Sequence, residues 1–191
     1  MKPNMPTRDQ ALVLLAEYNE SEPLLKHALA VEAVMRHFAP TFGGDPDTWG
    51  VVGLIHDLDY ERWPAQHCVK TAEILRQRHW PEELVRAAVS HGWGICSDVE
   101  PSSDMEKVLY AVDELTGLVA AAALVRPSRS VLDLTAKSVK KKWKDKRFAA
   151  GVDRDIIAAG AERLGMDLTD LITGVIEAMR SVADEIGLKG D

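Results

Sequence analysis

His56 and Asp57 stand side by side after the apolar run 51–55, in V-V-G-L-I-H-D-L-D-Y-E-R. A neutral imidazole and a carboxylate are suitable donors to Zn, Mn, Fe, Co or Mg. Adjacent residues on a helix point about 100° apart, so both can serve one ion only near the helix end. Such a pair needs one or two more ligands from elsewhere. Six histidines are present, His27, His37, His56, His67, His79 and His91, and four of them could converge with Asp57 and with Asp113 in A-V-D-E-L-T-G-L. A lone histidine on a helix is ordinarily structural, and His37 and His79 are read that way. Cys68 and Cys96 form no C-x-x-C pair, so they read as two reduced thiols rather than a redox motif or a cysteine-rich zinc site.

The elements that must position these groups have helical periodicity almost throughout. The pattern predicts a helix over 8–19 capped by Thr7, and a second over 22–38 carrying His27. The cluster G-G-D-P-D is a turn, and Asp47 or Thr48 starts the helix that delivers His56 and Asp57. Pro64 resets the chain before a helix over 66–78 that contains His67. Pro81 opens a helix over 81–90 ending at His91. Residues 92–103 read as a loop that could cover the site, with Trp93 either stacking on a substrate or buried in the core. Asp104 caps a long helix to about 125, carrying Asp113 and stopped by Arg126-Pro127. Ser130 is read as the cap of a helix through about 140, followed by helices near 153–164 and 168–186. The expected fold is all-α, a single compact domain over 1–191 with eight or nine helices. Its site-bearing core spans about 22–126, and the helices of 130–188 pack onto it.

Composition narrows the function. The net charge of −7 argues against stable nucleic-acid binding. No apolar run is long enough for a signal peptide core or a membrane span, so a cytoplasmic, membrane-free protein is the expectation. Residues 137–147, K-S-V-K-K-K-W-K-D-K-R, carry seven basic residues against one acid. Such a run is usually a solvated face. The functional alternative is that Lys140 and Lys141 reach over the site to bind substrate phosphate, with Arg126 as a second candidate of that kind. Trp143 and Phe148 should anchor the segment by burial. No P-loop and no dinucleotide-binding fingerprint is present. Oligomeric state is not legible.

The order His27, His56-Asp57, His67, His91, Asp113 resembles the HD superfamily of metal-dependent phosphohydrolases over roughly residues 23–118, in an HDIG-like arrangement. The resemblance implies that His27, His56, Asp57 and Asp113 bind one divalent metal (Mn, Mg, Fe, Co, Ni or Zn). His67, in H-C-V-K-T-A-E-I-L, and His91, in A-V-S-H-G, match the two histidines with which some members bind a second metal. Gly92 stands where the most elaborate members have another histidine, so a one-metal site with His67 and His91 acting on substrate phosphate is the competing arrangement. In several members an acid three or four positions beyond the Asp acts on water or the leaving group. Here those positions hold Tyr60 and Glu61, with Asp59 just before them.

The chemistry implied by the resemblance is hydrolysis of a small phosphorylated substrate, with a nucleotide as a candidate. Asp57, Asp59, Glu61 and His91 are the catalytic candidates, and His67, Arg126, Lys140 and Lys141 the substrate contacts. Two other readings stand beside it. Some HD proteins with six ligands in this order are diiron oxygenases, and others are non-catalytic nucleotide-binding modules.

Overall fold

A computed structural model describes residues 5–190; Met1–Asn4 and Asp191, with the parts of the domain and leader expectations that fall on them, lie outside the described residues. The described chain forms nine α-helices and no β-strand. They are α1 (Arg8–Tyr18), α2 (Glu22–Phe38), α3 (Pro46–Ile55), α4 (Val69–Gln77), α5 (Glu82–Ser90), α6 (Asp104–Leu124), α7 (Ala136–Trp143), α8 (Arg154–Leu164) and α9 (Leu168–Ser181). None is long and apolar enough to cross a membrane.

Local chemistry explains the helix starts. Thr7 and Gln10 form a capping box at α1, and Ser103 and Glu106 form another at α6. The α6 cap is therefore Ser103, one residue before the expected Asp104. Asp45, not Asp47 or Thr48, caps α3, because its carboxylate accepts from Thr48 N at 2.9 Å. The helix expected from Ser130 begins instead at Ala136, capped by Thr135. Ser130 is spent on the carbonyl of Lys189, 2.7 Å away, so it ties the chain end down rather than starting a helix. α4 begins later than expected, at Val69, because residues 64–66 make a 3-10 turn and Cys68 sits at φ 67°. His67 therefore lies in a turn, not on a helix.

One apolar cluster runs through α1–α6, α8 and α9, with Val139 of α7 joining it. α2 and α3 form the tightest pair, because Gly53 lets their backbones meet. A Cβ at Gly53 would lie 2.8 Å from Glu32 Cα and N. Gly160 does the same for α8 on α6, where a Cβ would be 2.5 Å from Ala111 Cα. α9 lies against α2 and α6. Arg8 pairs with the buried Glu32 carboxylate at 2.5 and 2.9 Å, joining α1 to α2. These packings bring the middle of α2, the end of α3 and the middle of α6 to one place.

Candidate metal centre

Three helices converge on the first group of donors. His27 comes from the second turn of α2, His56 and Asp57 from the end of α3, and Asp113 from the middle of α6. His27 Nε2 lies 2.9 Å from Asp113 Oδ1 and 3.9 Å from Asp57 Oδ2. His56 Nε2 lies 3.2 Å from Asp113 Oδ1 and 3.5 Å from Asp57 Oδ2. These four residues each offer a donor atom within 4.8 Å of the others, spacing that could hold a metal ion.

Asp57 Oδ1 faces a second group. His67 Nε2 is 3.4 Å from it and His91 Nε2 3.3 Å. Asp57, His67 and His91 also have ligating geometry. The two oxygens of one carboxylate thus look toward two donor sets.

The hydrogen bonds on the far side of each ring define what the near side can do. His56 Nδ1 donates to Gly53 O at 2.8 Å, His67 Nδ1 to Asp59 Oδ1 at 2.7 Å, and His91 Nδ1 to Ala88 O. In the neutral ring each Nε2 is then a bare lone pair. His56 is fully buried, and its Nε2 has no hydrogen-bond partner while facing two carboxylates. The His67 and His91 Nε2 atoms face each other at 3.1 Å. Lone pairs converging on each other and on carboxylates require a positive charge between them. A divalent cation fits this donor set, as does a proton. Burial opposes a charge on His56, but the Asp57 and Asp113 carboxylates outweigh it and raise the His56 pKa. Burial likewise opposes ionisation of Asp57 and Asp113. His56 holds both carboxyls below the ordinary range, helped by His91 at Asp57 and by His27 at Asp113.

The donors open into a cavity of about 540 Å³. Its opposite wall comes from Tyr60, from Ile95 and Cys96 of the loop after α5, and from residues 151–153 with Ile156. The loop after α5 thus does border the site. Among the described lining residues there is no Lys or Arg. Two acids join Asp57 and Asp113 there, Glu114 and Asp153. Burial, with the nearby Asp113 charge, lifts the Glu114 carboxyl to about 6. Asp153 is occupied in capping α8. Arg154 holds the 144–152 loop in place by donating to the carbonyls of Trp143, Asp145, Ala149 and Val152 at 3.0–3.3 Å. The sequence reading passed over Glu114, although its place beside Asp113 was a signal. Nothing in the local sequence signalled that Asp153 would line the site or that Arg154 would hold the loop beside it, since both depend on the docking of α8 on α6.

Several residues expected at the site are placed elsewhere. Asp59 is fully buried, and its oxygens accept from His67 Nδ1 and from Thr71 N at 2.8 Å. It orients His67 and does not reach the cavity. Glu61 accepts from Glu20 N and Ser21 N at 2.8 and 3.0 Å. It therefore serves the start of α2, whose own Ser21 side chain makes no capping bond. Arg126 is paired with Asp133 at 2.8 Å, and lies thirteen residues from Asp113, about 20 Å along the helix axis. Lys140 Nζ donates to Thr169 Oγ1 at 2.9 Å, and Lys141 is exposed on the same helix. The structure brings none of Arg126, Lys140 and Lys141 to the cavity. Trp93 packs under the Arg163 guanidinium, 4.3 Å from its ring centre, and against Tyr110. Trp143 and Phe148 pack against the core. The two thiols are free but adjacent, with Cys68 Sγ and Cys96 Sγ 3.2 Å apart.

A family model for the HD domain matches residues 24–123, more than half of the chain and a span that contains every donor described above. The chain belongs to the HD domain family. Members of this superfamily are generally metal-dependent phosphohydrolases that bind divalent metals. No curated protein and no solved structure matches the chain. The HD domain thus supplies the fold, the metal-binding class and the hydrolase superfamily, and the finer assignments depend on the site itself.

Proposed function

We propose that this HD domain hydrolyses a phosphoester of a small molecule, with Asp57 placed between two sets of donors that would each hold a divalent metal. The observation that carries the reading is the Asp57 carboxylate. One oxygen faces His27 and His56, and the other faces His67 and His91. His27, His56 and Asp113 would hold the first metal, and His67 and His91 the second, with Asp57 shared. Bound divalent metal lowers the pKa of water and polarises a phosphoryl oxygen, the two things phosphoester hydrolysis needs.

The chain's own groups do the rest. Asp59 and the Ala88 carbonyl fix the tautomers of His67 and His91, so their Nε2 atoms stay aimed inward. Asp57 lines the cavity between the two donor sets, so a water activated there would lie beside the phosphorus it attacks. Glu114 is the cavity carboxyl outside both donor sets that is not engaged as a helix cap. It lines the cavity beside Asp113, where it would be placed to hand a proton to the leaving oxygen. With no Lys or Arg among the described residues of the wall, bound divalent metal would supply the positive charge. A substrate with one phosphate group fits this balance better than a polyphosphate, so a nucleoside monophosphate remains within the class.

The same bridged donor set suits a diiron oxygenase, and the outcome of the assay separates the two. Phosphate release is measured from a panel of phosphomonoesters with Mn, Mg, Co, Ni or Fe added in turn, beside Asp57→Ala. Metal-dependent release that disappears in the variant is the expected result. Oxygen consumption by the iron-loaded protein with no phosphate release from any compound would replace the hydrolase with the oxygenase. Neither activity, in protein that retains its metals, would leave a binding module.

A further inference from the structure

A second cavity, of about 440 Å³, lies on the other side of His27 from the metal centre. Its walls are Ala30, Ala120, Leu124, Met179, Ile186 and the chain end at Leu188. The few polar side chains on its lining are already engaged. Glu22 and Lys26 at the rim pair with each other at 2.5 Å, and Thr116 Oγ1 donates to Val112 O at 2.7 Å. What remains facing inward is hydrocarbon and the His27 ring. Leu124, at the outer end, is 47% exposed, although it is a large apolar residue on a helix otherwise well buried.

The two cavities meet at His27 and Gly117, which line both. Gly117 lies one turn beyond Asp113 on α6, so it faces the same side of the helix. A Cβ there would meet nothing nearer than Val152 Cγ2, at 3.9 Å. The glycine is therefore not required by close packing, as Gly53 and Gly160 are. A larger side chain there would stand between the two cavities that it lines. From Gly117 to Leu124 the groove follows α6 for about 10 Å.

We propose that this groove takes the hydrocarbon part of the substrate, with its phosphate head at the metal centre and its chain passing His27 over Gly117. The proposal rests on the phosphohydrolase reading for the head group, and on the cavity's own lining for the chain. It makes the substrate class an alkyl or otherwise apolar phosphomonoester, and it makes Gly117 the residue that sets how much chain is admitted.

The test is calorimetric titration of the Mn-loaded protein with methyl-, butyl-, hexyl- and octylphosphonate, whose heads cannot be hydrolysed. Affinity in the unaltered protein should tighten about twofold to fourfold per added methylene until the groove is filled. In Gly117→Leu the dependence on chain length should vanish. In Ala120→Leu it should persist for butyl and vanish for octyl. Leucine is a better helix former than glycine and only slightly poorer than alanine, so both variants should keep their helicity. The series on the unaltered protein is decisive even if a variant does not fold. A flat series with methylphosphonate bound overturns the groove and leaves the hydrolase reading standing. Chain-length dependence that survives Gly117→Leu overturns the route past His27. Failure of methylphosphonate to bind, with tight binding of octylphosphonate lost in Gly117→Leu, keeps the groove and removes the phosphate head. Binding by no member removes both.

Discussion

The two donor sets around Asp57 are built differently. His27 and Asp113 come from the interiors of two long helices, and His56 from the end of a third that is buried along its last turns. His67 lies in a turn between a 3-10 segment and Cys68, whose φ is 67°, and His91 ends a short helix before a glycine loop. The first set is held mainly by the packing of the core, with one such bond added, from His56 Nδ1 to Gly53 O. The second is held by individual bonds, Asp59 to His67 and the Ala88 carbonyl to His91, and by the fit of Gly92 under two sulfurs. A site held by core packing tolerates the loss of any one polar contact. A site held by single contacts does not, and its occupancy should be the more easily altered of the two.

The largest expected effect removes the contrast altogether. Asp57→Ala should lower phosphate release by on the order of a thousandfold or more and weaken both metals together, with helicity retained. Retention of one metal at full affinity would show that Asp57 does not bridge. Asp59→Asn should sharpen the contrast. It should weaken the metal on the His67 side by about 10- to 100-fold and leave the His27 side near its original affinity, read by metal titration. Equal loss on both sides would make Asp59 a general support of the core.

Gly92→Ala acts on the same region by sterics. The new Cβ would overlap the Cys96 and Cys68 sulfurs, so the loop must shift, at a cost of about 1–3 kcal/mol in urea unfolding. Gly117→Ala, where there is open space, should cost nothing measurable in the same assay. If the two variants were equally stable, the tight fit at Gly92 would be wrong.

A smaller effect depends on pH. Glu114 has its folded pKa raised to about 6, above the 4.5 of an unperturbed glutamate. Its ionised form is therefore disfavoured in the folded, metal-free protein. The penalty is absent below about pH 4.5, grows as pH rises to about 6, and is complete above that. Allowing for solvent screening, Glu114→Gln should stabilise the metal-free protein by about 1 kcal/mol at pH 7 and by nothing at pH 4. A constant difference at both pH values would contradict the titration of Glu114. The smallest effect is at Glu61. Glu61→Ala should cost about 1 kcal/mol of stability by freeing two N–H groups at the start of α2, with turnover unchanged at saturating metal. Lost turnover in a fully stable variant would return Glu61 to the chemistry.

By itself the sequence determined the helical class, most helix positions and the six-residue order His27, His56-Asp57, His67, His91, Asp113. These are legible because helical periodicity, caps and prolines act over a few residues, and because ligand types are limited by donor chemistry. Only the tertiary structure decided the roles of the acids that follow Asp57. Asp59 and Glu61 look alike in sequence, yet one is buried behind His67 and the other ends on the backbone just before α2. Charge alone suggested Arg126, Lys140 and Lys141 as phosphate contacts, but charge says nothing of reach, and each is held elsewhere or left facing solvent. The part of the far wall made by residues 151–153 and Ile156, the Glu114 carboxyl's environment and the space at Gly117 arise where α8 and residues 186–188 dock on α2 and α6. Those contacts join positions far apart in the chain, and no local pattern encodes them.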